Sequence, residues 1–111
     1  MRAYRVAPMA DDAMDIKEAQ DLIRRIYLER DKDRGVERTL LRTFQELAEL
    51  SDAISKDGGV EYIENEVADV FAWVISIANL LEIDLGEVLL SKYNNACSRC
   101  GKTPCECLDN R

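Results

Sequence analysis

Residues 60–81 form the most apolar segment of the chain, and its apolar side chains recur at the three- and four-residue intervals of a helix. One stripe of this helix consists of large aliphatic side chains: Ile63, Val67, Val70, Val74, Ile77 and Leu81. Further apolar residues cover its other sides, so the helix must be buried on more than one side. Because the rest of so short a chain cannot readily surround it, we predict a homodimer or homotetramer in which this helix packs against a second subunit. A monomer with an exposed apolar patch is the alternative, and such patches are rare on monomers.

The remaining segments also show helical periodicity, and no period-2 alternation competes with it. We therefore predict an all-α, four-helix bundle-like domain over residues 1–96, followed by a short cysteine-rich tail over residues 97–111. The first ten residues are expected to be an arm. The first helix should end in a turn at residues 31–35, the second should span residues 36–54, and the third residues 60–81. Asp84 is the expected N-cap of a fourth helix that runs to about Ala96.

Charge and composition exclude several classes of function. The chain has 111 residues and a net charge of −7, which argues against a protein that neutralises nucleic-acid phosphates. No segment is apolar and long enough for a signal peptide or a good membrane span, so a cytoplasmic protein is expected. The chain contains no histidine, which excludes a catalytic metal site built on imidazole.

Two acidic pairs are the candidate functional residues. Glu46 and Glu49 lie three residues apart on the second helix, and Glu66 and Asp69 lie three apart on the third, so the members of each pair are neighbours on a helix surface. Asp69 stands in an apolar sequence, where an unpaired carboxylate would be expensive to bury. Carboxylates that converge from facing helices suit Mg²⁺, which prefers oxygen ligands. The alternative is that these acids only solvate exposed helix faces.

The sequence FQELAELSDAI, a glycine-containing break, and the segment from ENEVADVF to SKYNN together resemble the MazG-like family of all-α nucleotide pyrophosphohydrolases. The resemblance covers about residues 40–95 and rests on a Glu-x-x-Glu motif at Glu46 and Glu49 and a Glu-x-x-Asp motif at Glu66 and Asp69. It implies Mg²⁺ on these four residues and hydrolysis of a nucleoside triphosphate to a monophosphate and pyrophosphate. It also makes Glu49 the candidate catalytic residue that positions the attacking water. Gln45 departs from the family pattern, because many relatives carry an acid there.

Two other functions stay open at this point. One is a related pyrophosphohydrolase that acts on another nucleotide, such as phosphoribosyl-ATP. The other is a non-enzymatic helical dimer whose tail is a zinc-knuckle binding module and whose acids are merely solvated.

The family resemblance extends to Lys92 and Asn95, which are the candidate substrate-binding residues. On a helical projection Lys92 falls within the apolar stripe of the fourth helix, and Asn95 lies near the same side. An inward lysine is a misfit unless it meets an anion such as a triphosphate, although a snorkelling lysine at a helix end is an equal alternative. Trp73 could stack on a base, but core or interface packing is the better expectation.

The tail contains a compact C-x2-C-x4-C-x-C sequence made of Cys97, Cys100, Cys105 and Cys107. Four thiolates this close together suit a tetrahedral, structural Zn²⁺. Disulfides or a free redox-active tail are the alternatives. A similar cysteine tail occurs in some members of the resembling family.

Overall fold

The computed structural model describes residues 13–108, and the arm expected over the first ten residues lies outside this range. Four helices follow one another in the described part of the chain: α1 (Ile16–Arg34), α2 (Val36–Ser55), α3 (Val60–Leu80) and α4 (Leu85–Lys92). No strand occurs between residues 13 and 108, which confirms the predicted all-α class. None of these helices has the length and apolar character needed to cross a membrane.

The boundary between α1 and α2 lies later than the sequence suggested. A capping box starts α1, because Asp15 accepts a hydrogen bond from the backbone of Glu18 and the Glu18 side chain accepts one from Asp15. The predicted turn at residues 31–35 was wrong, since residues 31–34 continue α1 and only Gly35 separates it from α2. Gly35 has φ 87°, a left-handed conformation that glycine adopts without steric cost.

The fourth helix begins as expected but ends early. Asp84 is its N-cap and accepts a hydrogen bond from the backbone of Glu87 at 2.9 Å. The predicted extension to Ala96 was wrong, because α4 stops at Lys92 and Asn95 has φ 60°, outside the helical region. The helical projection therefore does not apply to Asn95.

The α3 helix packs on both α1 and α2, and α2 and α3 form a hairpin across the short break at residues 56–59. Helices joined by so short a connection run antiparallel. The buried apolar side chains are small or lie on α3: Ala19, Ala53, Ile63, Ile75 and Ala78. Val67, Phe71 and Val74 remain 39–49% exposed, so one chain leaves part of the apolar surface of α3 uncovered.

A buried polar network fixes α1 against the end of α3 and the start of α4. The Gln20 side-chain amide donates to Asn79 Oδ1 at 3.1 Å and to the carbonyl of Ile83 at 2.9 Å. Its oxygen accepts from the backbone N–H of Leu85 at 2.8 Å, and the Asn79 amide donates to the carbonyl of Gln20 at 3.1 Å. Because both side chains are at most 5% exposed, each of these bonds replaces one to water.

Replacing Gln20 with alanine is expected to lower the free energy of unfolding by about 1–3 kcal/mol, since it leaves the Ile83 carbonyl and the Leu85 N–H without their side-chain partner. Urea denaturation followed by circular dichroism would measure the change. The matched control is Lys17→Ala on the same helix, where an exposed side chain should change stability by less than about 0.5 kcal/mol. Equal effects in the two variants would contradict the role given to the network.

Candidate functional site

The α2–α3 hairpin brings three of the predicted acids together. Glu46 lies on α2, and Glu66 and Asp69 lie on α3. One carboxylate oxygen from each residue lies within 4.8 Å of those from the other two. Glu46 is 7% exposed and Glu66 is 8% exposed, whereas Asp69 is exposed. The buried carboxylate of α3 is therefore Glu66. The expectation that Asp69 points into the apolar interior was wrong for a single chain.

Glu49 lies beside this cluster of Glu46, Glu66 and Asp69, which we call the acidic cluster. Glu49 lies close enough to Glu46 and Glu66 for its negative charge to raise the pKa of both carboxyl groups. Glu49 and Glu66 line the same cavity of about 220 Å³, together with Lys56 and Tyr62. The structure thus places all four predicted acids in one region, with Glu49 at the edge of the three whose oxygens could share an ion.

The acidic cluster carries more negative charge than its surroundings balance. Burial raises the pKa of Glu46 above its usual 4.5, and the neighbouring Glu49 and Asp69 raise it further, while Arg42 lowers it. Burial, followed by the charges of Glu49 and Asp69, also raises the pKa of Glu66. Among the described residues, Glu66 Oε2 is buried without any hydrogen-bond partner. A cation that bound both Glu46 and Glu66 would satisfy this oxygen and offset the repulsion.

Sequence reasoning missed two arginines next to the acidic cluster. Arg42 Nη2 lies 3.2 Å from Glu46 Oε1, and its guanidinium lies 5.5 Å from the centre of the Trp73 ring. Arg34 lies 4.8 Å from the same ring and forms an ion pair of 2.8 Å with the buried Asp31. The i, i+4 spacing of Arg42 and Glu46 could have indicated the first contact, but the contacts with Trp73 depend on how the helices pack.

A small cavity is lined by one of these arginines and by one acid of the acidic cluster. It has a volume of about 150 Å³, and its lining includes Tyr27, Arg34, Asp69 and Trp73. Asp69 therefore belongs both to the acidic cluster and to the wall of this cavity.

The structure does not bring Lys92 and Asn95 to the acidic cluster within one chain. Both residues line a separate pocket of about 880 Å³, whose other walls come from the tail, and none of the four predicted acids lines it. Lys92 is exposed and its Nζ lies 5.5 Å from the ring centre of Tyr93. No residue of α4 is buried, so the inward placement expected of Lys92 was wrong for a single chain.

The four cysteines of the tail converge as the spacing suggested. Their sulfur atoms all lie within 4.8 Å of one another, with Cys97 and Cys107 at 3.8 Å and Cys100 and Cys105 at 4.0 Å. Backbone N–H groups of Cys100 and Arg99 donate to the Cys97 sulfur and lower the pKa of this thiol to about 6. The remaining cysteines are also free thiols.

The fold and the site define the class of all-α proteins in which two neighbouring helices share a carboxylate cluster, an arrangement with which helical bundles hold metal ions. A family model described as the MazG nucleotide pyrophosphohydrolase domain matches residues 34–101, which is more than half of the 111 residues. The chain belongs to this family, and the resemblance noted from the sequence is confirmed. No curated protein matches the chain. Membership supports a nucleotide pyrophosphohydrolase, a hydrolase of phosphoric anhydrides in a family that typically depends on metal ions.

Proposed function

We propose that this protein is a Mg²⁺-dependent hydrolase that converts nucleoside triphosphates, ribo- or deoxyribo-, to nucleoside monophosphates and pyrophosphate. The observation that carries the proposal is the acidic cluster, in which Glu46, Glu66 and Asp69 place their oxygens within 4.8 Å of one another. The substrate's nucleotide class follows from membership of the family.

The residues of the acidic cluster fit a hard divalent cation. All three offer carboxylate oxygens, and Glu66 Oε2 is a buried acceptor that no described residue satisfies. When bound, Mg²⁺ would supply charge stabilisation for the phosphates and lower the pKa of a bound water. The proposed ligands are Glu46, Glu66 and Asp69, with Glu49 as a fourth that can approach from the edge.

Glu49 is the proposed catalytic residue. It is exposed, it shares a cavity with Glu66, and it is not one of the three acids whose oxygens converge. A carboxylate at the edge of the metal ligands can accept a proton from the attacking water and orient that water towards the phosphate. The chain has no histidine to take this role.

The cationic groups near the acidic cluster suit a triphosphate. Arg34 lines the cavity that Asp69 also lines, and Arg42 lies against Glu46. Guanidinium groups bind phosphate oxygens with two parallel donors, and Trp73 offers an aromatic surface between the two arginines. Arg42 is bonded to a cluster carboxylate in the absence of substrate, so we propose that it exchanges this partner for a phosphate.

A homodimer or homotetramer is part of the proposal. Exposed apolar side chains lie on α2, α3 and α4, and they include Phe44 at 61% and Leu90 at 62%. A second subunit that covered these helices would bury surface that one chain exposes. Because Lys92 and Asn95 lie away from the acidic cluster of their own chain, we propose that they contact substrate bound at the acidic cluster of a second subunit. Light scattering after size exclusion should give a mass of two or four chains, and a mass of 12.6 kDa would contradict the oligomer.

The experiment that tests the activity is incubation of the purified protein with ribo- and deoxynucleoside triphosphates, with Mg²⁺ or with EDTA, followed by chromatography of the products. Formation of monophosphate and pyrophosphate only in the presence of Mg²⁺ is expected. Release of diphosphate and phosphate, or turnover in EDTA, would contradict the proposed reaction. If the protein hydrolyses phosphoribosyl-ATP but no nucleoside triphosphate, the alternative function, a related pyrophosphohydrolase for another nucleotide, is the correct one.

A further inference from the structure

We propose that Cys97, Cys100, Cys105 and Cys107 bind one Zn²⁺ in a closed tetrahedral site that holds the C-terminal tail folded. This site is separate from the acidic cluster and goes beyond the proposed hydrolysis. It would be structural, because four protein ligands leave no open position for a substrate or a water.

The distances between the sulfur atoms fit a zinc tetrahedron. A Zn–S bond of about 2.3 Å places the sulfurs of a regular tetrahedron about 3.8 Å apart. The observed separations are 3.8 Å between Cys97 and Cys107 and 4.0 Å between Cys100 and Cys105. A disulfide requires about 2.05 Å, so the sulfurs are placed as ligands around a common centre and not as two bonded pairs.

Backbone N–H groups point at the sulfurs in the way that a thiolate site requires. Cys97 accepts from the N–H of Arg99, Cys100 from that of Glu106, and Cys105 from that of Cys107, each at 3.4 Å. Hydrogen bonds of this kind stabilise and orient metal-bound thiolates from outside the coordination sphere. The bond from Cys107 to Cys105 lies within the tight C-x-C sequence. The backbone of one cysteine there donates to the sulfur of the other.

The turn between the first two cysteines is closed by its own backbone. Gly101 donates to the carbonyl of Cys97 at 2.9 Å, and Cys97 donates to the carbonyl of Lys102 at 3.0 Å. Gly101 has φ 73°, which a residue with a side chain would adopt only with strain. Thr103 donates to the carbonyl of Asn95, which returns the loop to the end of α4.

The tail has no apolar core that could hold this conformation. None of residues 97–108 is buried, and none belongs to a helix or a strand. Leu108, the one large aliphatic residue among them, is fully exposed. A short segment without a core needs a metal or a disulfide to hold one conformation.

The four thiolate ligands favour a soft metal ion such as zinc. Four thiolates are soft ligands that favour zinc or iron and not Mg²⁺ or Ca²⁺. Arg99 adds a positive charge within the same loop, whereas Lys102 is paired with Glu106 at 3.3 Å. The free thiols also suit a reducing compartment, in line with the expected cytoplasmic location.

The test is metal analysis of the full chain, purified under reducing conditions without added metal and then offered Zn²⁺ or Co²⁺. One zinc per chain is expected, together with the strong visible absorption of Co²⁺ in a tetrahedral thiolate site. Cys100→Ser and Cys105→Ser should each weaken zinc binding by more than the roughly 10–100-fold that follows from losing an outer hydrogen bond. Ser98→Ala, a non-ligand in the same loop, is the matched control and should keep the zinc.

Uptake of neither zinc nor cobalt by the wild-type chain would overturn the proposal, as would iron in the purified protein. Because the wild-type measurements decide the matter, the result does not depend on the cysteine variants folding. The outcome is also independent of the hydrolase proposal, since Glu66→Gln should keep its zinc whether or not the wild type hydrolyses nucleotides.

Discussion

Glu66→Gln is expected to abolish nucleotide hydrolysis while leaving the helical fold intact. The variant keeps the size of the side chain but removes the negative charge of the acid that is buried between α2 and α3, beside Glu46. Loss of an outer partner of a metal ligand typically costs 10–100-fold in activity, so loss of a proposed ligand should lower kcat/KM by at least about 100-fold. Initial rates of pyrophosphate release over a range of Mg²⁺ concentrations would measure the effect.

The matched control is Glu61→Gln, which removes the same charge from an exposed position in the first turn of α3. This variant should keep near-wild-type turnover, and circular dichroism should show equal helix content for both. Asp69→Asn should resemble Glu66→Gln, because Asp69 is the third acid of the cluster. Wild-type rates in both acidic-cluster variants would rule out this site.

The convergence of the acids was predictable because it depends on local rules. Residues three apart on a helix are neighbours, and the break at Gly58 and Gly59 forces α2 and α3 into a hairpin. Once the two helices are antiparallel neighbours, an acidic pair on each can meet. Their burial was not predictable from the same rules: the apolar sequence around Asp69 indicated an inward acid, whereas the fold buries Glu66 and leaves Asp69 exposed.

The errors at the ends of helices have backbone causes. Residues 31–34 are polar and carry a turn-like sequence, but the ion pair between Asp31 and Arg34 lies along a helix that continues until Gly35. The projection that placed Asn95 beside Lys92 assumed that α4 continues to Asn95, whereas α4 ends at Lys92. Such projections hold only while the periodic hydrogen bonding continues, and the C-cap of α4 is already Tyr93, whose φ of −120° and ψ of 50° are not helical.

Contacts between distant segments could not be predicted from one sequence. Arg34 and Arg42 meet at Trp73, and Gln20 meets Asn79, only because α1 and α2 both pack on α3. The cysteine tail is the opposite case, since its ligands lie so close in sequence that spacing alone brings them together. What the sequence left open there is whether the sulfurs form disulfides or bind a metal, and their separations of 3.8 and 4.0 Å support the zinc site that we propose.

Magnesium is expected to stabilise the folded protein strongly, and more strongly as the pH rises. Mg²⁺ at about 100 times its Kd should add about 2.7 kcal/mol, which for a domain of this size raises Tm by on the order of 10 °C. The physical reason is the repulsion in the acidic cluster, where Glu66 Oε2 has no hydrogen-bond partner among the described residues. Thermal denaturation with excess Mg²⁺ and with EDTA, at several pH values, would measure the effect.

The sign of the pH dependence follows from the raised pKa values of Glu46 and Glu66. In EDTA the folded chain holds these two protons more tightly than the unfolded chain does. The associated stability is therefore complete below the unfolded pKa of about 4.5 and is lost as the pH rises through the higher folded values. In excess Mg²⁺ the trend reverses, because the metal binds only the ionised carboxylates, so its stabilisation grows with pH.

Glu66→Gln isolates this contribution from the other titrating groups. As the pH in EDTA rises above the unfolded pKa of about 4.5, the variant should lose less stability than the wild type, since glutamine has no proton to give up. It should also gain much less from Mg²⁺, whereas Glu61→Gln should behave as the wild type does. Equal stabilisation of all three proteins by Mg²⁺ would mean that the ion binds elsewhere, and an equal pH dependence of the wild type and Glu66→Gln would mean that Glu66 titrates normally. If instead the wild type and Glu61→Gln respond to Mg²⁺, and respond more at higher pH, while Glu66→Gln does not, the buried acids that destabilise the metal-free fold are the same groups that bind the ion.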